Sequence, residues 1–404
     1  MLMSVLLGTA DLRLMRLMLA HVVSSALLTF VSAYVSGLPS RAPVDPRLLT
    51  MLSTLIQLVA SPQPPAGGSN ASAPLPPTAI TQTIITAHLT PLLIAAVMAG
   101  WTPTAPPATF ASIRASLLTA LAGLPATQAL ASLGTSLKLL QSGRKSKPRG
   151  WVRSWPPYAD GALGTLMSGQ MQRPGGVKAV MENVFGEAAN LLGPEGVDGS
   201  KLDQIAGVLS RVPRNVAPEV YIPQLLTTLF DLIAPESATH PLVYTHTAAY
   251  VVHHLWNSSP IAVNWLRERL HVPLLPANLS VGVVATPEGV QSLLTALSQL
   301  VTHAPPSPQF VDFLIAPILP PLFALHVALL TPSKAGIIEK RPEATGLAAS
   351  VHMVLLAWGK VVPQAEGVKG VWTVVQGGKG WPEGEGGREI FWRRTGDGAE
   401  LVYD

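Results

Sequence analysis

The residues of this chain whose spacing first suggests chemistry are His246, His253 and His254, at i, i+7 and i+8. In a helix these positions lie near one face. Neutral imidazole is a common metal ligand, so the trio would bind a metal if a carboxylate joined it. None does on that face, because Asp231 and Glu236 come before the run. The three are therefore read as histidines that pack between helices. Gly377-Gly378-Lys379-Gly380-Trp381 has the look of a phosphate loop. A P-loop, however, needs four residues between its glycines and Ser or Thr after the Lys, to cradle phosphate and hold magnesium. Here Gly follows the Lys, and the segment reads as a connection between strands. His-Glu-x-x-His and Gly-x-Ser-x-Gly are both absent. With no cysteine, disulfides, Cys-ligated zinc, iron–sulfur clusters and thiol catalysis are excluded. The chain is read as non-catalytic, with no catalytic, cofactor-binding or metal-ligating residue and no cofactor.

Two further patterns bear on partners. Arg144, Lys145, Lys147, Arg149 and Arg153 alternate with Trp151 and Trp155 around Pro148. Such a short, broken cluster is read as a solvated connector rather than a phosphate-binding or importin-binding strip. Asn70, Asn257 and Asn278 open Asn-x-Ser sequons, which matter only in a secretory lumen. The charge is also uneven: residues 1–155 carry eleven Lys/Arg against two acids, and residues 156–404 sixteen against 21. The basic balance therefore belongs to the first third and is no nucleic-acid signal for the whole chain. No direct nucleic-acid partner and no small-molecule substrate are expected.

The elements that must position these residues are helical. Of the 404 residues, 48% are apolar and only 12% charged, against about 25% charged in an ordinary globular protein. That composition excludes a disordered chain. The 38 prolines and 34 glycines cut it into short elements. Apolar helical runs stand at 3–36, 47–60, 78–100, 109–122 and 126–141, with no charge from Leu48 to Ile113. The loop 61–77, rich in Pro and Gly, is expected to be dispensable for folding. From 176 onward the pattern predicts helices at 176–192, 201–211, 218–233, 240–257, 260–269, 289–302, 310–330 and 344–359. Ser200 and Thr239 are candidate N-caps and Asp203 a first-turn anion. The starts at 201, 240 and 289 are spaced as HEAT or armadillo helix pairs are. Stacking of such pairs predicts that Leu209, Leu226, Leu229, Val252 and Leu255 are buried. In the tail, Val371 to Gln376 and Glu389 to Arg393 read as strands. Ala399 to Tyr403 pairs with the second across Thr395-Gly396-Asp397-Gly398. The fold class is all-α: an irregular α-solenoid of HEAT/armadillo-like pairs with a small C-terminal β-hairpin. Its parts are a Pro-interrupted apolar helical region (1–141), a basic linker (142–158), a HEAT-like region (159–360) and a small β-rich tail (361–404).

Two apolar stretches are long enough to span a bilayer, Leu17 to Ser40 and Phe313 to Ser333. The second holds Pro317, Pro320 and Pro321, and is read as a buried helix broken near those prolines. Asp312 just before it suits a helix N-terminus. A multi-pass membrane protein of the secretory pathway, in Golgi or ER membrane, is kept as the alternative.

Several segments carry a resemblance. They are Gly175-Gly176-Val177-Lys178-Ala179-Val180-Met181, Leu202 to Leu209 with Pro213, Tyr221-Ile222-Pro223-Gln224-Leu225-Leu226, Phe313 to Leu325, and Trp358-Gly359-Lys360. Together they resemble the family of transport and Golgi organisation protein 6 and its fungal relative, the RNA polymerase II assembly factor needed for nuclear transport of the polymerase. Glu366-Gly367, Trp372, Gly380-Trp381 and Phe391-Trp392-Arg393-Arg394 look like the fungal branch. The resemblance implies a helical HEAT-type scaffold without catalysis. It acts in protein secretion and, in fungi, in assembly and nuclear import of RNA polymerase II. The implied partners are proteins, either polymerase subunits or transport machinery, with the chain in the cytoplasm and shuttling to the nucleus. Peripheral or integral membrane association goes with the alternative. Family members are usually longer, with further helical domains, so this chain is expected to be a short or split form. The motifs mark packing positions, and no functional residue carries over.

Overall fold

The computed structural model describes residues 9–21, 27, 46–60, 79–101, 107–145, 157–186, 196–213, 216–234, 241–275, 282–330, 342–377, 390–395 and 398–403. They are mostly helical, with one small antiparallel sheet. By compactness the chain divides into two units, Met1–Asn183 with Pro213–Asn215, and Val184–Val212 with Val216–Asp404. This division falls near Asn183, whereas the sequence pattern breaks at the basic stretch 142–158.

The first unit contains α1 (Thr9–His21), α2 (Pro46–Ala60), α3 (Ala79–Thr83), a π-helical turn (Ile84–His88), α4 (Leu89–Gly100), α5 (Pro107–Gly123), α6 (Ala126–Lys145), α7 (Pro157–Met171) and most of α8 (Gly176–Phe185). Its centre is α4, LTPLLIAAVMAG, where ten of twelve residues are buried. A helix apolar all round is stable only when neighbours cover every side. Here α2, α5, α6 and α7 do so. Helix C-termini leave carbonyls that no intrahelical N–H reaches, and in a charge-poor core few groups can meet them. Arg114 Nε donates to Gly100 O at 2.6 Å and its guanidinium lies over Trp101. Tyr158 donates to Met98 O at 3.2 Å. Arg173 spreads over the end of α5, donating to Leu121 O at 2.8 Å, Ala122 O at 2.8 Å and Leu124 O at 3.3 Å. The Oε1 of Gln170 accepts from the same Nη1 that faces Leu121 and Leu124, at 2.6 Å.

The second unit contains α9 (Gly199–Leu209), α10 (Pro218–Ile233), α11 (Leu242–Ser258), α12 (Pro260–Leu270), β1 (Gly282–Ala285), α13 (Pro287–His303), α14 (Pro308–Ile315), α15 (Leu319–Leu330), α16 (Pro342–Val361), α17 (Gln364–Gly377), β2 (Ile390–Thr395) and β3 (Gly398–Tyr403). Proline opens α10, α12, α13 and α14 at the first helical positions, where its missing N–H has no partner to lose. Thr286 caps α13 through Gly289 N, and Ser307 caps α14 through Phe310 N. Neighbours again close the helix ends: Tyr221 donates to Leu209 O at 2.7 Å, and Thr245 to Leu232 O at 3.2 Å. Helix α11 packs on α9, α10 and α13, and α10 on α12. Leu209, Leu226, Leu229 and Val252 are 0% exposed and Leu255 1%.

The apolar run at 310–330 is two helices joined by a 3-10 turn at Ala316–Ile318. Pro317 has no N–H for the Phe313 carbonyl, which breaks the ladder. Pro320 and Pro321 fall in the first turn of α15, where none is needed. Asp312 is not at a helix start but inside α14, accepting from Trp358 Nε1 at 3.3 Å.

Several expectations need correction. Val371 to Gln376 is not a strand but the second half of α17. Its apolar residues fit both periods, and the inward contacts decide. Gly370 lies so close to the Trp358 ring that a Cβ would stand 2.6 Å from a ring carbon, an approach that only a glycine on a helix face provides here. The tail 361–404 is therefore half helix. The hairpin is a three-stranded sheet of order β1-β3-β2, since Gly282–Ala285 adds a strand the pattern did not suggest. The hairpin pairing runs from Ile390↔Tyr403 to Thr395↔Gly398. Ser200 is not the N-cap of α9. Asp198 is, accepting from Ser200 N at 3.0 Å and Ser200 Oγ at 2.7 Å. Nor is Asp203 a first-turn anion: it stands past the first turn of α9 and accepts a 2.5 Å bond from Tyr250 on α11. Helix α7 stands where the linker was expected to end. The loop 61–77, Thr239, and the greater part of 3–36 and of Leu17–Ser40 lie outside the described residues.

Two outcomes follow from this packing. Arg173→Ala strands the carbonyls at the end of α5 and destabilises the first unit by about 1–3 kcal/mol. That lowers its melting midpoint by roughly 2–12 °C, at about 2–4 °C per kcal/mol for a unit of this size, and Arg173→Lys, which lacks the planar fork, recovers only part. Gly370→Ala overpacks the Trp358 contact, at a cost of about 1–3 kcal/mol. Faster amide exchange confined to α17 and its contacts is the expected signature.

Candidate functional site

The histidine trio separates once its helix is packed. The His246 ring meets His303 edge-on, 6.1 Å between centroids. Its Nδ1 is buried without a partner. His253 stands edge-on to Phe310 at 5.1 Å and tilted to Trp256 at 5.9 Å. Its Nε2 lies 3.3 Å from Nδ2 of Asn257, the one sequon residue among the described positions. Among the described residues no group of three His, Cys, Asp or Glu is placed to hold a metal. The arrangement packs aromatic rings.

His271 does something the sequence did not suggest. It is 6% exposed at the end of α12, and its Nε2 lies 3.1 Å from the Leu314 carbonyl. A carbonyl only accepts, so this nitrogen carries the proton. Burial holds His246, His253, His271 and His303 below the ordinary histidine range. Burial likewise pushes the Tyr221 phenol up to about 12.

A concave feature among the described residues of the second unit is a cleft of about 540 Å³. It lies between the C-terminal ends of α10 and α12, strand β1 and the start of α13. Leu270, Leu274, Val290 and Leu293 form its buried floor, with Asp231 and Arg269 among its polar lining. Among the described residues these two make no ion pair. Arg269 was not singled out from sequence, and Asp231 was noted only as a carboxylate that comes before the histidine run. The signal that was available is Val283-Val284 between Gly282 and Pro287, β-branched residues bounded by breakers.

Of the other sequence candidates, Gly377 ends α17 and Lys145 ends α6. Lys147, Arg149, Trp151, Arg153, Trp155, Asn70, Asn278 and 378–381 lie outside the described residues. Two described helical runs have the length and apolarity to cross a membrane: Thr81–Gly100 and Pro308–Leu330, 61% and 50% buried.

Comparison with known proteins adds no relative: no family model, curated protein or solved structure matches the chain.

The depressed histidines set a pH dependence. Each stays neutral in the folded chain after its unfolded counterpart has taken up a proton, so stability is full above about pH 6.5 and drains as pH falls through the lowered values. The urea midpoint of the second unit is expected to fall between about pH 7 and pH 5.5. A midpoint constant across that window would contradict the burial of these rings.

Proposed function

We propose that the chain is a non-catalytic helical-repeat scaffold that binds protein partners. We place its action in protein secretion and trafficking and, as in the fungal relatives of the family it resembles, in assembly and nuclear import of RNA polymerase II. The observation that carries the scaffold reading is the contact between alternate helices of the second unit, α9 with α11, α11 with α13, and α10 with α12. Stacked helix hairpins make contacts of this kind, since one hairpin alone leaves an apolar face open. An apolar stripe left outside supports it too: Val368, Val371, Trp372 and Val375 on α17 are 54–67% exposed, and apolar stripes of this kind mark interaction surfaces. The assignment to secretion and to the polymerase rests on the family resemblance alone. On this reading the chain works in the cytoplasm and shuttles to the nucleus. The test is affinity capture with the tagged full chain, blotted for RNA polymerase II subunits. Recovery of the subunits is the expected result, and their absence alongside a recovered secretory complex would remove the polymerase role.

A second reading, a multi-pass protein of Golgi or ER membrane, is favoured by Thr81–Gly100 and Pro308–Leu330, whose mean hydropathies are 1.7 and 2.2. Carbonate extraction separates the two: a scaffold is released, a spanning protein stays with the membrane. Glycosylation reporters placed before Gln309 and after Lys334 check the second run, and labelling of only one of them would establish a span.

A further inference from the structure

We propose that the open edge of β1 and the cleft beside it form a docking site for an extended peptide segment of a partner protein. The segment carries an apolar residue flanked by an acidic and a basic one. This rests on the reading of the chain as a protein-binding scaffold and names where one partner sits.

The three-stranded sheet has two edges, β1 and β2, and they differ. Strand β2 leans on α15, with Trp392 Nε1 donating to Pro321 O at 3.0 Å, and its sequence IFWRRT includes two arginines. Charge and cover are how natural proteins keep an edge from pairing with another chain. Strand β1, GVVA, has neither charge nor proline, and Val283 is 50% exposed. On one side β1 pairs with β3, in a register that shifts between Val283 and Ala285. Among the described residues no strand pairs with its other side. Among the described residues its outward N–H and C=O groups meet no strand, and an added strand can pair with them, its backbone bonds supplying affinity while alternate side chains reach the neighbouring surface.

That surface is the cleft. Val284 and Ala285 are part of its wall, and its volume of about 540 Å³ exceeds one large side chain. Leu270, Leu274 and Val290, each 1% exposed, make the floor apolar. Arg269 and Asp231 are both exposed, line the same cleft and do not pair with one another. An acidic side chain on the segment meets the guanidinium, which takes carboxylates in a two-bond fork. A basic one meets Asp231. Two charges of opposite sign on one cleft fix the direction and register of the strand laid across it, because reversal places like charges together.

The test is selection of a random twelve-residue phage-displayed library on the immobilised full chain, followed by affinity measurement on the enriched peptides. The expected enrichment is an apolar residue between an acidic and a basic one. Arg269→Glu converts the acidic position to a basic one and leaves the other unchanged, and Asp231→Lys does the converse. Ser292→Trp, an exposed cleft residue, and Val283→Lys, a charge placed on the edge, each weaken the enriched peptides at least tenfold while circular dichroism and melting stay as in the parent. The proposal is overturned if Ser292→Trp enriches the same peptides as the parent, if the parent enriches none, or if charge reversal leaves the selected sequences unaltered. A native partner captured equally by Ser292→Trp also overturns this site and leaves the scaffold reading standing. Failure to capture any partner by any variant strikes the scaffold reading itself.

Discussion

Closing the C-terminal ends of buried helices is the constraint on which both units depend. Each helix end presents carbonyls that must find a donor, and only 12% of the chain is charged. The donors come from neighbouring helices, each aimed at a last-turn carbonyl. Arg114 and Tyr158 serve α4, Arg173 serves α5, Tyr221 serves α9, Thr245 serves α10 and His271 serves α14. Such bonds have a double effect. They satisfy groups that are expensive to bury unpaired, and they set which helix end lies against which side chain, something nonspecific apolar contact does poorly.

The proline-rich run between α14 and α15 obeys the same rule. Pro317 removes the donor for the Phe313 carbonyl, and His271 meets the next carbonyl, Leu314 O, from another helix. Trp358, reaching Asp312, and Trp392, reaching the Pro321 carbonyl, tie α16 and β2 to either side of the break. The sheet is thus held at α15 by its β2 side. Its β1 side, set against the start of α13, stays open, and the cleft is the space left between that strand and the ends of α10 and α12. Packing of the helices and exposure of the edge have one origin.

The α17 helix shows how the same residues satisfy two patterns. Val368, Val371, Trp372 and Val375 fall at helical spacing on an exposed stripe, while Gly370 allows the backbone to approach Trp358 and Leu319. Apolar residues normally mark the buried face of a helix. Here the half-buried side carries Gly370 where it meets Trp358, because such close approach to an indole ring is possible only without a Cβ.

What the sequence determined by itself is the kind of object. Apolar runs broken by proline and glycine dictated a helical chain, and helical spacing placed Leu209, Leu226, Leu229, Val252 and Leu255 in the interior. The helix break at Pro317 was legible because proline's missing N–H is a local property. The hairpin of Ile390–Thr395 and Gly398–Tyr403 was legible because turn chemistry is local too. Tertiary structure alone decided the rest. Asp198 rather than Ser200 caps α9 because the cap goes to whichever side chain the entering backbone aims at the first N–H groups. Helix wins over strand at 371–376 because a ring 12 residues or more away in the chain, Trp358, accepts a glycine face. Four residues at 282–285 become a strand only when β3 arrives to pair with them. Arg269 and Asp231 line one cleft because α10, α12 and α13 converge, and no spacing within the chain records a meeting of side chains 38 positions apart.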